Sequence, residues 1–178
     1  MTVAVLSLGS NLGDRLAHLR AAVAGLGDTV LVVSGVYETA PWPPGAPGAP
    51  YLNAVVLAAD AGVDPRGWLE IARTLERAAG RVRDPGERAA PRTLDVDVIS
   101  VTTDDGEPVT CDDPELTLPH PRAHLRAFVL RPWIDIQPYA RLPGHGAVSD
   151  LLRSEPVAAD LGDVHPRGDL DLSATGAG

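Results

Sequence analysis

The sequence has a single cysteine, few aromatic residues and no hydrophobic run long enough to cross a membrane. Cys111 alone excludes an internal disulfide and is compatible with a reducing compartment. The chain carries a net charge of −9, which argues against a general binder of nucleic acid or membrane surfaces. Its first residues lack the basic start of an export signal. We therefore expect a cytoplasmic protein that binds neither nucleic acid nor membranes.

The 178 residues, 44% of them hydrophobic, suffice for one domain with a sizeable core. Apolar periodicity predicts strands at residues 3–8, 29–38, 51–58 and 91–99, and helices at 13–26 and 64–79. This β-α-β-β-α-β order predicts an α+β, ferredoxin-like sandwich, with helices packed on one face of a mainly antiparallel sheet and extra C-terminal elements. We expect the domain to span residues 1–154. Residues 155–178, rich in Gly, Asp, Pro and Ala, are predicted to form a flexible acidic tail.

The strand predicted at residues 91–99 carries two carboxylates, Asp95 and Asp97, on one face. Their Cα atoms should lie roughly 7 Å apart, so the ionised side chains repel each other and lose hydration. Positive charge between them could come from upstream arginines or from Mg²⁺, which binds carboxylates together with water and substrate phosphates. The strand alone leaves two alternatives open: a magnesium-dependent phosphoryl-transfer site, or a polar face that is simply solvated.

A basic segment, residues 81–92, leads directly into this strand. It contains four arginines against two acidic residues: Arg81, Arg83, Arg88 and Arg92. A charge run is usually a solvated loop, but arginine also binds phosphate through its planar guanidinium. A basic segment next to paired aspartates favours a site for a nucleoside triphosphate with Mg²⁺.

Three other stretches bear on a binding site. Residues 40–50 form a long loop rich in proline and glycine, with Trp42 near its start. Tyr51 and Asn53 share a strand face and suit a flat heterocycle, although a capped strand end is the simpler interpretation. Residues 9–13, Gly-Ser-Asn-Leu-Gly, favour a tight strand-to-helix turn, because they lack the Lys-Ser/Thr ending of a phosphate-binding loop.

Several motifs occur together in one order along the chain. They are GSNLG at residues 9–13, YETAP at 37–41, YLNA at 51–54, GRVR at 80–83, PRTLDVD at 91–97, LPHP at 118–121 and RAFVL at 126–130, followed by Pro132. Over residues 2–152 the chain resembles the 6-hydroxymethyl-7,8-dihydropterin pyrophosphokinases of folate biosynthesis.

This resemblance implies transfer of pyrophosphate from ATP to the hydroxymethyl group of 6-hydroxymethyl-7,8-dihydropterin, leaving AMP. It implies two Mg²⁺ ions held by Asp95 and Asp97, and we expect a monomer. The catalytic residues implied are Arg81, Arg92, Asp95 and Asp97. The implied ATP-binding residues are Arg73, Glu76, Arg83, Arg88, Val98, Thr117, His120 and Arg126. The implied pterin-binding residues are Thr39, Pro41, Trp42, Tyr51, Asn53 and Phe128.

Two alternatives remain. One is a non-catalytic small-molecule-binding domain of the same fold, which would have little need for paired aspartates beside four arginines. The other is a different magnesium-dependent kinase or nucleotidyl transferase. The nucleotide product separates them: AMP for pyrophosphoryl transfer, ADP for ordinary phosphoryl transfer, and no product for a binding domain.

Overall fold

The structure, a computed structural model, describes residues 1–81 and 91–173. The strands are β1 (Thr2–Ser10), β2 (Val30–Val33), β3 (Tyr37–Thr39), β4 (Tyr51–Asp60), β5 (Asp95–Thr103), β6 (Cys111–Asp112), β7 (Thr117–Leu118), β8 (Arg141–Leu142), β9 (Gly146–Ala147) and β10 (Val164–Pro166). The α-helices are α1 (Arg15–Leu26), α2 (Pro65–Ala78), α3 (Ala127–Ile136), α4 (Val148–Arg153) and α5 (Val157–Asp160). Short 3-10 helices lie at Gly27–Thr29, Ala123–Leu125 and Leu161–Asp163.

The main sheet is antiparallel, with strand order β10-β3-β4-β1-β5, and β2 also pairs with β4. This order confirms the predicted ferredoxin-like α+β fold. The strand predicted at residues 29–38 is split into β2 and β3. At the break, the Ser34 hydroxyl accepts a hydrogen bond from the Val55 N–H (2.8 Å) and so replaces a backbone acceptor of the ladder.

Helices cover both faces of the sheet, so the prediction of helices on one face was wrong. Helices α1 and α2 pack on the face that carries Leu6, Leu8 and Val96. Helix α3 packs on the opposite face, in the cluster that contains Val5, Val55 and Ile99, and α4 and α5 pack against α3. Strands β1, β4 and β5 are therefore apolar on both sides over part of their length, and each side needs a helical layer.

Both predicted helices begin at side-chain caps. Asp14 accepts a hydrogen bond from the Ala17 N–H (3.0 Å) at the start of α1, and Asp64 accepts one from the Gly67 N–H (2.7 Å) at the start of α2. These bonds satisfy backbone donors that the first helical turn leaves without partners. Within residues 1–81 and 91–173, no helix is both long and apolar enough to cross a membrane.

The C-terminal segment is ordered against the domain, so the prediction of a flexible tail was wrong for residues 155–173. Strand β10 pairs with β3, and the Arg167 N–H donates to the Val36 carbonyl (2.8 Å). The side chains of Val157 and Leu172 are buried in the two cores. Single apolar residues among Gly, Asp and Pro lack periodicity, so only their long-range contacts reveal this packing. Residues 174–178 lie outside the described part of the chain.

Candidate active site

The candidate site lies where one face of the sheet changes from apolar to polar. Side chains two residues apart on a strand share a face, and the change occurs on three strands. It runs from Val5 to Ser7 in β1, from Val55 to Asn53 in β4, and from Ile99 to Asp97 in β5. The apolar end is covered by α3, whereas the polar end opens into a pocket of about 570 Å³. A single sheet surface thus provides both the support for a helix and the floor of a pocket.

Ten of the residues implied by the resemblance line this pocket. They are Thr39, Pro41, Trp42, Tyr51, Asn53, Arg92, Asp95, Asp97, Arg126 and Phe128. The nucleotide-side and pterin-side residues predicted from distant motifs therefore meet in one cavity.

Asp95 is held by two arginines. Its carboxylate accepts hydrogen bonds from Arg81 Nη1 (2.5 Å) and from Arg92 Nη1 (2.8 Å). Burial alone would raise the pKa of Asp95, but the two guanidinium charges outweigh it and hold the pKa below its ordinary value. Asp95 is therefore ionised at neutral pH.

Asp97 has a different environment two residues further along the strand. Its side chain is 29% exposed, and its Oδ2 lies 3.2 Å from Arg126 Nη1. Burial and the negative charge of Asp95 raise its pKa to about 6, although Arg126 and Arg92 oppose the shift. In the protein without a bound cation, the ionised form of Asp97 is therefore disfavoured, and a cation in the pocket would relieve this cost.

Glu76 and Arg81 support the aspartates from behind. Glu76 is 2% exposed, and its Oε1 accepts hydrogen bonds from Arg81 Nη1 (2.5 Å) and from the Val96 N–H (3.0 Å). Arg81 thus lies between two carboxylates and does not line the pocket. Its position favours fixing the charge of Asp95 over contacting a ligand.

His120 lies beside Asp97, and its ring orientation is fixed by a backbone contact. Its Nδ1 accepts a hydrogen bond from the Arg122 N–H (3.1 Å), which leaves the proton of the neutral ring on Nε2, 3.9 Å from Asp97 Oδ2. Burial and the charge of Arg126 lower the pKa of His120 to about 4. At neutral pH His120 is an uncharged donor beside the carboxylate pair.

The other half of the pocket combines an amide with aromatic rings. Asn53 donates from Nδ2 to Thr39 Oγ1 (2.6 Å), and its Oδ1 lies above Gly9, where a Cβ atom would come within 2.9 Å of it. Tyr51 lies next to this amide, and burial raises the pKa of its hydroxyl, which stays neutral. Asn53 therefore presents an oriented acceptor beside a ring, as an edge-reading site for a flat heterocycle requires.

Arg126 connects the two halves. Its guanidinium lies 5.1 Å from the ring centroid of Trp42 and 5.6 Å from that of Phe128, while also binding Asp97. Arg126 immediately precedes α3 and Phe128 lies in its first turn, so the packing of α3 on the sheet positions both side chains.

Six described residues implied by the resemblance do not line the pocket: Glu76, Arg81 and His120, described above, and Arg73, Val98 and Thr117. Arg73 bonds Glu70 on its own helix (3.1 Å), and the Thr117 hydroxyl donates to the Asp113 carbonyl (3.3 Å). The Val98 side chain is buried in the core on the opposite face of the sheet. Arg83 and Arg88 lie in residues 82–90, outside the described residues.

The sequence interpretation missed four residues that line the pocket: Ser7, Gly9, Asn11 and Arg122. The first three lie at the end of β1 and in the segment interpreted as a plain turn. The signal was the run of small and polar residues that follows an apolar strand, but only the pairing of β1 with β4 and β5 shows that these residues lie beside Asn53 and Asp97.

The donors present fit a divalent cation that also binds the substrate. Asp95 and Asp97 both face the pocket, and their pKa values are displaced in opposite directions by a shared charge conflict. Within residues 1–81 and 91–173, no group of three or more His, Cys, Asp or Glu side chains is placed to enclose a metal. Two carboxylates completed by water and phosphate oxygens match the preference of Mg²⁺.

The chain is similar in sequence to one family of known proteins. The profile of the 7,8-dihydro-6-hydroxymethylpterin-pyrophosphokinase (HPPK) family matches residues 5–138. Proteins named 2-amino-4-hydroxy-6-hydroxymethyldihydropteridine pyrophosphokinase are similar to the chain. That of Mycobacterium leprae is 55% identical over 176 residues, covering 93% of this chain and 85% of the relative. That of Mycobacterium tuberculosis is 48% identical over 170 residues, covering 93% and 86%.

Solved structures support the fold. A Plasmodium falciparum HPPK-DHPS, crystallised with pterin and p-hydrobenzoate, aligns with a TM-score of 0.63 at 12% identity over 93% of this chain. The chain spans 47% of that protein, so the similarity concerns less than half of its length.

Proposed function

Because this chain belongs to the 7,8-dihydro-6-hydroxymethylpterin-pyrophosphokinase family, we propose that it transfers pyrophosphate from ATP to the hydroxymethyl group of 6-hydroxymethyl-7,8-dihydropterin, releasing AMP, in folate biosynthesis. The observation that carries this proposal is the pocket itself. It joins a carboxylate pair surrounded by arginines to an oriented amide flanked by aromatic side chains. One half suits a triphosphate with Mg²⁺, and the other suits a flat heterocycle.

In the pterin half, Asn53 reads the donor and acceptor edge of the ring while Tyr51 and Phe128 contact its faces. Thr39 keeps the Asn53 amide in one orientation, since its hydroxyl accepts from Nδ2. Pro41 and Trp42 close the side of the pocket. The exocyclic hydroxymethyl group would then project from the recess toward Asp95 and Asp97.

In the nucleotide half, Asp95 and Asp97 would hold two Mg²⁺ ions together with the phosphate oxygens of ATP. Bound there, Mg²⁺ neutralises the charge of the triphosphate and orients its phosphates. Arg92 and Arg126 line the same half and supply fixed positive charge. Arg81 acts from behind by keeping Asp95 ionised, and Glu76 holds Arg81 in place.

The reaction is an in-line displacement at the β-phosphorus. The hydroxymethyl oxygen forms a bond to this phosphorus and its proton passes to solvent water, while the bond from the phosphorus to the oxygen bridging the α-phosphate breaks and AMP leaves with that oxygen. Such a transfer needs alignment and charge neutralisation more than a covalent nucleophile. His120, neutral beside Asp97, adds a hydrogen-bond donor without adding charge.

The remaining implied ATP contacts stay predictions. Arg73, Val98 and Thr117 would have to contribute from outside the pocket lining, and Arg83 and Arg88 lie outside the described residues. For Val98 the backbone is the available group, because its side chain is buried in the core.

The nucleotide product tests this function. The protein is incubated with ATP, Mg²⁺ and 6-hydroxymethyl-7,8-dihydropterin, with Asp97→Ala as the control. We expect AMP to form one-for-one with the pterin consumed, and this activity to be lost in Asp97→Ala. Formation of ADP would replace the reaction with ordinary phosphoryl transfer, and binding without any product would indicate a non-catalytic domain.

A further inference from the structure

One buried asparagine, Asn11, holds the ends of two segments that frame the pocket. Its N–H donates to the Arg92 carbonyl (3.0 Å), and its Oδ1 accepts from the Arg92 N–H (2.7 Å). Its Nδ2 donates to the Ala49 carbonyl (3.2 Å), and the residue is 8% exposed. A single planar amide therefore uses its acceptor on one segment and its donor on the other.

The two segments serve different halves of the site. Arg92 binds Asp95 in the nucleotide half. Ala49 lies near the end of residues 40–50, two residues before Tyr51. Earlier in this segment, Pro41 and Trp42 line the pterin half. Gly48 precedes Ala49 and has φ +128°, a backbone conformation that favours glycine. A Cβ atom at Gly48 would lie 3.8 Å from Asn11 Nδ2, so the backbone passes directly beside the amide.

We propose that Asn11 couples the binding of the two substrates, an inference that rests on the proposed function. A triphosphate that fixes Arg92 also fixes Asn11, whose backbone N–H donates to the Arg92 carbonyl and whose side-chain Oδ1 accepts from the Arg92 N–H. The oriented amide then holds Ala49, so the pterin pocket is ordered before the pterin arrives and less conformational entropy is lost on binding. By linkage, bound pterin raises the affinity for the nucleotide by the same factor. Asn11 is thus a positioning residue and not a catalytic one.

Arg15 provides a matched control. Its Nη1 donates to the Pro50 carbonyl (3.0 Å) and pairs with Glu38 (2.7 Å). It therefore tethers the same end of residues 40–50 as Asn11 does, but to α1 and β3 and not to Arg92. Removing Arg15 tests what the tether alone contributes, whereas removing Asn11 tests the connection between the two halves.

The measurement is the dissociation constant of the pterin with and without saturating α,β-methylene-ATP and Mg²⁺, by isothermal titration calorimetry. The ratio of the two constants is the coupling factor. We expect wild type to bind pterin more tightly with the nucleotide. Asn11→Ala removes the two side-chain hydrogen bonds that join the segments and should lower the coupling factor two- to tenfold, a change that corresponds to the net free energy of about one neutral hydrogen bond. Arg15→Ala should leave the coupling factor unchanged. If Asn11 had a purely structural role, Asn11→Ala would raise both dissociation constants by the same factor and leave their ratio unchanged.

Asn11→Asp is the second variant, because it keeps the acceptor for the Arg92 N–H and loses the donor to Ala49. Its coupling factor should also fall, and it decides the question if Asn11→Ala does not fold. The proposal is overturned if wild type shows no coupling, if either Asn11 variant keeps the wild-type ratio, or if Arg15→Ala lowers the ratio equally. Failure of the proposed function is a separate result, because wild type would then form no AMP from ATP and the pterin.

Discussion

Neutralising the two pocket aspartates should change the stability of the metal-free protein in opposite directions. Asp97 has a pKa of about 6, above its ordinary value of 3.8. The fold therefore favours the protonated form of Asp97. The stabilisation by this form is fully present below pH 3.8 and is lost as the pH rises through 6, so the ionised side chain costs stability at pH 7.5. Asp95 has a lowered pKa, so its ionised form stabilises the fold above its ordinary pKa, and this contribution is lost in acid.

The size of the effect follows from the contacts. The rise of the Asp97 pKa from 3.8 to about 6 sets an upper value of about 3 kcal/mol for the free-energy cost of its ionised form. With the side chain 29% exposed, solvent screening reduces this to about 2 kcal/mol, or about 4–8 °C in melting temperature. Asparagine at position 97 can still accept from Arg126. Asp95→Asn weakens two hydrogen bonds to arginines and should cost about 2–4 kcal/mol.

The assay is thermal unfolding followed by circular dichroism in EDTA between pH 4 and 8. We expect Asp97→Asn to melt above wild type at pH 7.5, with a difference that shrinks as the pH falls from 6 toward 4. Asp95→Asn should melt below wild type at pH 7.5. Asp105→Asn, on an exposed turn, should melt within about 1 °C of wild type.

Two results would each refute this reasoning: Asp97→Asn melting below wild type at pH 7.5, or a difference in melting temperature that does not depend on pH. Either would mean that the charge conflict between the two carboxylates is absent from the folded protein. Both variants should nevertheless lose AMP formation with Mg²⁺ present. Asp97→Asn would then be more stable and inactive, as expected when a functional charge is kept at the expense of stability.

Three further predictions concern the walls of the pocket. Gly9→Ala places a methyl group 2.9 Å from Asn53 Oδ1, so the amide must shift and pterin affinity should fall about tenfold by calorimetry, with nucleotide affinity unchanged. Thr39→Val removes the acceptor of Asn53 Nδ2 and should raise the KM for pterin about fivefold; an unchanged KM would mean that the amide is held by other contacts. Glu76→Gln weakens a buried ion pair with Arg81 and should lower the free energy of unfolding, measured in urea, by about 1–3 kcal/mol. A variant as stable as wild type would contradict this prediction.

Most of the central fold could be predicted because its signals are local. Helix α2 was defined by Asp64 as cap, Pro65 as first residue and an apolar stripe, all within one segment. The placement of the second helical layer and of the C-terminal strand could not be predicted in the same way. Helix α3 has closely spaced apolar residues, but the sheet face that they cover and the pairing of β10 with β3 both depend on long-range contacts.

The site shows the same division. Alternation within one strand was enough to place Asp95 and Asp97 on a common face. The roles of Gly9 and Asn11 could not be predicted, because the contacts that define them join residues 38 to 81 positions apart in sequence. Upstream arginines were one of the two sources of positive charge that the strand left open. The position of Arg81 behind the Asp95 carboxylate depends on Glu76, which reaches β5 from the end of α2.

Strand β10 has a consequence for solubility. Without it, β3 would be an edge strand with unpaired backbone donors and acceptors, and such edges recruit strands from other molecules. The pairing of Val164 with Thr39 joins residues about 125 positions apart, so this edge stays open until the C-terminal segment has been synthesised and has docked. The last part of the chain therefore protects the newly made protein from self-association at the strand that carries Thr39 into the pocket.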